Sequence, residues 1–421
     1  MDVVHERVCG LDVHKRTVVA CALVPGAAGR VKPEPETFST MLGELERLAR
    51  WLAERGVTHV AMEATGVYWK AVYNVLESAD RFTVLVVNPE HVKAITGRKT
   101  DRADAQRLAF LLRHDLLSGS FIPDREQREL RELTRARTAL VRERARVVQR
   151  LEKVLEGANI KLGAVVTELL GTSGQAMLDA ALQGVTDPEE LAGLAHRKLQ
   201  PQHDLLVQAL AGRLTRPLRF LAQQHLDHWR ELDTRVTAFD TEIAELLRPF
   251  DHLVARLDAI PGVGRRTAEI ILAEIGTDVA AFPSERHLAA WAGVSPGNRQ
   301  SGGRRKAART RHGNLWLKAA LTEAAWAAGR CKDGYLQAQY RRLAARRGRK
   351  RAVVAVAHSL VTSIYFMLLH DIPFADLGGD YFDQRDRDRR EQRALQTLRS
   401  LGYDVAITPH AAPPAPTPEA A

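Results

Sequence analysis

Asp12, Glu63, Asp101 and Asp104 are the residues of this sequence whose types and spacing best suit chemistry at a metal ion. A hard divalent cation takes oxygen ligands, and a carboxylate cluster that leaves coordination positions open can seat a phosphate and a water beside it. Asp12 lies inside VCGLDVHKRTVVACAL (8–23), whose alternating and β-branched residues read as a first strand. A carboxylate within a buried strand is costly unless it is paired or metal-bound. Glu63 ends a second apolar run, GVTHVAME (56–63), just before a turn at Ala64–Gly66. Asp101 and Asp104 open KTDRADAQRLAFLLRHDL (99–116), a helix-forming stretch in which i, i+3 spacing puts both carboxylates on one face. Any one of these acids could equally be a solvated surface charge, and Asp12 is the one that resists that reading.

The segments that carry the acids alternate strand and helix. After strand 8–23, a polar turn containing Pro and Gly leads to a helix over about 40–55 and a strand over 57–63. A helix from near Val67, a strand RFTVLVVN (81–88) and the Asp101/Asp104 helix complete an α/β unit over residues 1–120. The order of its acids (early strand, later strand, final helix) resembles that of the RNase H-like nucleases, and most closely their RuvC-type branch.

With 421 residues the chain is long enough for two or three domains, each burying a core. Its 61 Lys and Arg against 51 Asp and Glu give a net charge of +10, which favours polyanions through phosphate contacts and counterion release. The sequence shows no signal-peptide pattern and no apolar run long enough to cross a bilayer, so no membrane partner is expected. AVVAVAHSLVTSIYFMLL (352–369), interrupted by His358, Ser359 and Thr362, reads as a buried helix. Cys9, Cys21 and Cys331 form no CxxC pair, which fits a reducing cytoplasm without a zinc site.

Beyond residue 120 the pattern turns helical. Over about 126–156, Leu133, Leu140, Val147 and Val154 recur every seven residues, with Leu130 and Leu151 at the complementary position and Arg137 and Arg144 interrupting it. This suggests a coiled-coil or helical-hairpin arm over 121–250 with an arginine-rich outer face, and HLDHWRELDTRVTAFDTEIAELLRPF (225–250) could return along it. Residues 251–375 form the next unit. There LVARLDAIPGVGRRTAEIILAEIG (253–276) sets two helical patterns around Pro261–Gly264, with Ile260 and Val263 as apolar plugs, and looks like a helix-hairpin-helix. Gly262, Gly264 and Arg265 would bring backbone N–H groups and a cation to a phosphate. Ser301 follows in a Gly-rich loop, ahead of Arg304, Arg305 and Lys306. A serine hydroxyl becomes a plausible nucleophile where cations or a metal stabilise charge on phosphate; on residue chemistry alone Ser295 serves nearly as well. A dense basic run, Arg341 to Arg351, could track a phosphate backbone. The last segment, 376–421, reads as a charged helix (383–397) and a tail, APPAPTPEAA, of disordered composition.

GLDVHK (10–15), MEATGVYW (62–69), KTDRADA (99–105), IPGVGRRTAEIILAEIG (260–276) and WAGVSPGNRQSGGRRK (291–306) occur in the order found in a known family. Together they resemble the DEDD-type transposases of the insertion-sequence family numbered one hundred and ten, also described as bridge-RNA-guided recombinases. The resemblance runs from about residue 8 to residue 370. It implies a RuvC-like N-terminal domain, a coiled-coil arm and a mainly α C-terminal transposase domain with a nucleophilic serine. Its four metal acids fall on Asp12, Glu63, Asp101 and Asp104. Its serine falls on Ser301, with one residue more between Asn298 and Ser301 than the family's segment has.

The resemblance implies DNA strand cleavage and rejoining with one or two Mg²⁺ ions, in the cytoplasm of a prokaryotic cell at its nucleoid. Ser301 would form a covalent phosphoserine, and a structured guide RNA would select donor and target DNA. The acids and the serine lie some 200 residues apart, so the fold or a second subunit must bring them together, and a homo-oligomer, dimer or tetramer, joined through the arm is expected. A hydrolytic RuvC-like Holliday-junction endonuclease, in which the acids activate water, is the alternative. A non-catalytic scaffold with decayed acids is a third reading, which the intact tetrad opposes.

Overall fold

A computed structural model describes residues 2–26, 31–89, 101–297, 300–301, 304–305, 310 and 312–406, with the backbone alone at 300–301, 304–305 and 388–390. Lys306, Gly302, Gly303 and the tail 412–421 lie outside the described residues. The chain divides into two compact units, Met1–Arg128 and Glu129–Ala421.

The first unit is built on β1 (Val8–Val13), β2 (Thr17–Pro25), β3 (Val31–Ser39), β4 (His59–Glu63) and β5 (Thr83–Val87), ordered β3-β2-β1-β4-β5. β1 to β3 pair antiparallel, and β1, β4 and β5 run parallel. Strand alternation divides the side chains between two faces. Cys9, Leu11, Val60 and Met62 pack with α1 (Leu42–Glu54) and α2 (Trp69–Ser78) through Leu45, Leu48, Leu52, Val72 and Leu76. Val8, Leu23 and Ala61 face α3 (Asp101–Arg113) through Ala109 and Leu112. The α/β expectation for the N-terminal part therefore holds.

Two expectations drawn from the sequence are corrected. The run 8–23 is a hairpin of two strands, turned at His14–Arg16 and closed by a hydrogen bond from His14 N to Thr17 O of 2.9 Å. The supposed polar turn after it contains a strand, β3, whose Pro33 and Pro35 pair opposite Leu23 and Cys21. β3 lies at the sheet edge, where a missing N–H leaves no ladder bond unmade.

The second unit is mostly helical. Its longest elements are α4 (Arg125–Gly157), which starts in the first unit, and α5 (Arg216–Leu247). Arg137 pairs with Asp240, whereas Arg144, further along α4, pairs with Asp233 and its neighbour Glu143 lies beside His228, so the two helices run antiparallel. The arginines that break the apolar seam thus carry ion pairs between helices and do not join an outer face, whereas Arg142, Arg146 and Arg150 are exposed. Leu151, Leu155 and Leu226 pack with short helices between Leu162 and Leu210 into a core of their own. Then follow α6 (Asp251–Asp258), α7 (Arg265–Ile275), α8 (Glu285–Trp291), α9 (Leu315–Ala328), α10 (Tyr335–Arg347) and α11 (Arg349–His370). By length and composition α11 could cross a membrane, contrary to the expectation that no run is long enough. In this fold it buries Ala352, Val353, Val356, Leu360 and Ile364 and packs against α8, α9 and α10.

Candidate active site

Gly10 sets the position of the acids. A Cβ at that point would meet Ala105 O at 2.1 Å and Ala109 N at 2.5 Å, so glycine lets α3 lie directly on β1. Asp12 is two residues on, hence on the same face, and its neighbours across the sheet are fixed by the parallel register. Leu11 pairs with Met62, so Asp12 and Glu63 each follow one residue after the last pair, at the ends of adjacent strands. Ala61 faces α3, and Glu63, two residues later, shares its face. Asp101 and Asp104 occupy the first turn of α3, where the helix dipole favours carboxylates.

The hairpin turn adds a residue that the sequence reading missed. His14 Nε2 lies 3.2 Å from Asp12 Oδ2 and 3.5 Å from Asp101 Oδ2. Asp12, His14 and Asp101 can offer ligand atoms within 4.8 Å of one another. Glu63 and Asp104 are not in that group of three, although Asp104 is close enough to act on the charge of Asp12. The signal for His14 was its place at i+2 from Asp12, at a polar break in an apolar run. Burial holds the Asp12 carboxyl above its ordinary range, and the repulsion of Asp101 and Asp104 adds to this against the opposing pull of His14. A half-buried carboxylate beside two others is a donor set that a divalent cation would neutralise.

In the second unit, α6 and α7 flank the Pro261–Gly264 turn, with Ile260 and Val263 buried as anticipated. Gly262 has φ +88°, and a Cβ there would meet Ala328 N at 2.4 Å, so packing on α9 accounts for this glycine. Gly264 is open, at the uncapped N-terminus of α7. Arg265 donates to Asp251 at 2.7 Å and to Glu269 at 3.2 Å, so a phosphate would share its guanidinium with two carboxylates. Ser301 ends β6 (Gln300–Ser301), which pairs antiparallel with β7 (Arg304–Arg305), Ser301 opposite Arg304. Ser295 is half-buried at the foot of the same excursion.

Two family models match the chain. One, for the DEDD transposases of the IS110 group and described as Transposase, matches residues 9–160; the other, described as Transposase IS116/IS110/IS902 family, matches residues 254–341. The two models together match more than half of the chain, which belongs to this transposase family. It is 27% identical over 303 residues to a probable family 20 transposase of Pseudomonas aeruginosa, covering 71% of this chain and 79% of that protein. It is 26% identical over 326 residues to the putative transposase y4qE of Sinorhizobium fredii, covering 76% and 71%. A shorter match, 35% over 81 residues, covers 18% of this chain and 24% of a pilin gene-inverting protein of Moraxella bovis. Among solved structures, RuvC of Thermus thermophilus aligns at 17% identity and a TM-score of 0.22, covering 27% of this chain and 99% of that one.

Proposed function

We propose that this transposase breaks and rejoins DNA strands through Ser301, in a reaction that depends on Mg²⁺ held by Asp12, Glu63, Asp101 and Asp104. The reading rests on one observation above all: Asp12, carried into the sheet, meets Asp101 of α3 at the strand ends beside His14. Strand order β3-β2-β1-β4-β5 with acids at the ends of two central strands supports a RuvC-like domain. When bound, one or two Mg²⁺ ions supply Lewis-acid polarisation of the scissile phosphate. Ser301 Oγ attacks phosphorus, the Oγ–P bond forms as the P–O3′ bond breaks, and the hydroxyl proton ends on the departing 3′ oxygen. The exchanged strand's 3′ hydroxyl reverses the step. Arg304, Arg305 and Lys306 follow the serine closely and offer charge to the phosphate in its transition state.

The turn at Gly262 and Gly264, with Arg265, acts as a helix-hairpin-helix backbone contact. The exposed residues Arg341, Arg346, Arg347, Arg349, Lys350 and Arg351 form a second phosphate-binding face. A structured guide RNA supplies sequence selection, α4 and α5 form the arm through which a homo-oligomer assembles, and the protein acts in the cytoplasm. Asp104→Ala or Glu63→Ala should abolish strand cleavage and leave nucleic-acid binding largely intact. A protein–DNA adduct trapped on a denaturing gel should form with the native chain and with Ser295→Ala, and not with Ser301→Ala. Cleavage without any adduct would favour the hydrolytic endonuclease, and an adduct mapped by mass spectrometry to another residue would remove Ser301.

A further inference from the structure

Among the described residues, the most deeply buried charged side chain is Glu274, near the end of α7, and the reaction above does not use it. Donors from two other elements converge on it. Arg135 of α4 gives Nε at 2.7 Å and Nη2 at 2.8 Å to its two oxygens, and Asn314 Nδ2 donates at 2.6 Å. Arg131 Nε stands 3.5 Å from Glu274 Oε2, and the same guanidinium donates to the backbone carbonyls of Ala273 and Glu274 at the end of α7.

Asn314 is what Glu274 holds, and Asn314 closes the foot of the chain excursion that carries Ser301. Its N–H donates to Trp291 O at 2.9 Å, at the end of α8, and its Oδ1 caps α9 by accepting from Trp316 N and Leu317 N at 3.0 and 3.1 Å. Beside it Gly313 lies so close to Gly293 that a Cβ would meet Gly293 N at 2.4 Å. Pro296 and Thr310 bridge one step further out, and Lys318 Nζ donates to Thr310 Oγ1 at 2.9 Å. A buried ion pair is weak evidence for stability, because apolar residues of the same volume often do as well. Its distinctive contribution is a fixed geometry among the groups it satisfies.

We infer that Glu274 is a positioning residue for the nucleophile: with Arg135 and Asn314 it locks the foot of the Ser301 excursion to the arm helix α4. The inference rests on the reading of Ser301 as the nucleophile, but its structural half can be tested apart from that reading. Glu274→Gln keeps the shape, removes the charge and turns one acceptor into a donor facing other donors. In the full-length protein, hydrogen exchange of peptides covering 289–297 and 310–318 should become at least about tenfold faster, while peptides from α10 and α11 keep their protection. The double variant Glu274→Gln/Asn314→Asp restores a carboxylate, a complementary donor–acceptor pair and a cap for α9, and should return protection to the foot. On DNA carrying the end of the element, Glu274→Gln should lower the maximal rate of adduct formation without shifting the half-saturating DNA concentration, and the double variant should recover that rate.

Native-like protection in Glu274→Gln, no recovery in the double variant, or protection lost evenly across the second unit would overturn the inference. If Glu274→Gln does not fold, Arg135→Lys, which keeps the charge and loses the fork, carries the same comparison. Ser301→Ala should leave the exchange pattern native. If the nucleophile lies elsewhere, the adduct measurements fail while the exchange result stands.

Discussion

Asp12 sits where a carboxylate is expensive, half-buried at the end of β1 with Asp101 and Asp104 raising its proton affinity. A carboxyl whose folded pKa is raised adds stability while protonated and loses it as pH climbs from the ordinary range through the raised value. At pH 7 without a divalent ion, its ionised form therefore works against the fold. Mg²⁺ bound by the proposed site should raise the melting temperature of the native protein; Asp12→Asn should leave the melting temperature in EDTA unchanged or a few degrees higher and should abolish that rise. A lower melting temperature in EDTA together with a retained Mg²⁺ response would take Asp12 out of the metal site. Glu63, Asp101 and Asp104 stood out as candidates because they sit at element ends that hydropathy reveals, and Asp12 because it is a carboxylate within an apolar run. His14 was not, because its closeness to Asp12 depends on a turn without the Gly, Asn or Pro that usually mark one.

Gly10 and the prolines of β3 show how elements carry information that pattern reading loses. Alternation from Val8 to Leu23 is continuous in sequence because β1 and β2 present the same periodicity on either side of a three-residue turn. Pro33, Glu34, Pro35 and Glu36 look like a turn and form an edge strand, since an edge tolerates both proline and charge. Arg137 and Arg144 read only as interruptions of a heptad, and α5 supplies Asp240 and Asp233 as their partners. None of these pairings is visible in a single segment. Gly10→Ala tests the tightest of them. The added methyl would overlap the backbone of α3, so the helix must move away, at a cost of about 1–3 kcal/mol or more. The variant should melt several degrees lower and lose most of the stabilisation expected from Mg²⁺, because α3 carries Asp101 and Asp104. Native melting with native Mg²⁺ response would show that the approach of α3 is not what assembles the acids.

At the scale of the whole molecule, the +10 charge and the proposed division of chemistry between two units make separate demands. Replacing Arg304, Arg305 and Lys306 with alanine should lower the slope of log affinity against log salt by about one for each phosphate that is no longer neutralised. An unchanged slope would make the cluster a solvated face. The acids lie in the first unit and Ser301 in the second, linked through α4. If the arm joins two copies so that each site takes acids from one and serine from the other, cleavage must wait for assembly. Mixing Ser301→Ala protein with Asp104→Ala protein decides this. Each is inactive alone, yet a mixed dimer built that way holds one site with both parts intact and one with neither. Random pairing then recovers roughly a quarter of the native adduct. A site built within one subunit recovers none, because every subunit in the mixture lacks one part. We expect recovery, and failure to recover it, with both variants binding DNA normally, would place the acids and the serine of each site in the same chain.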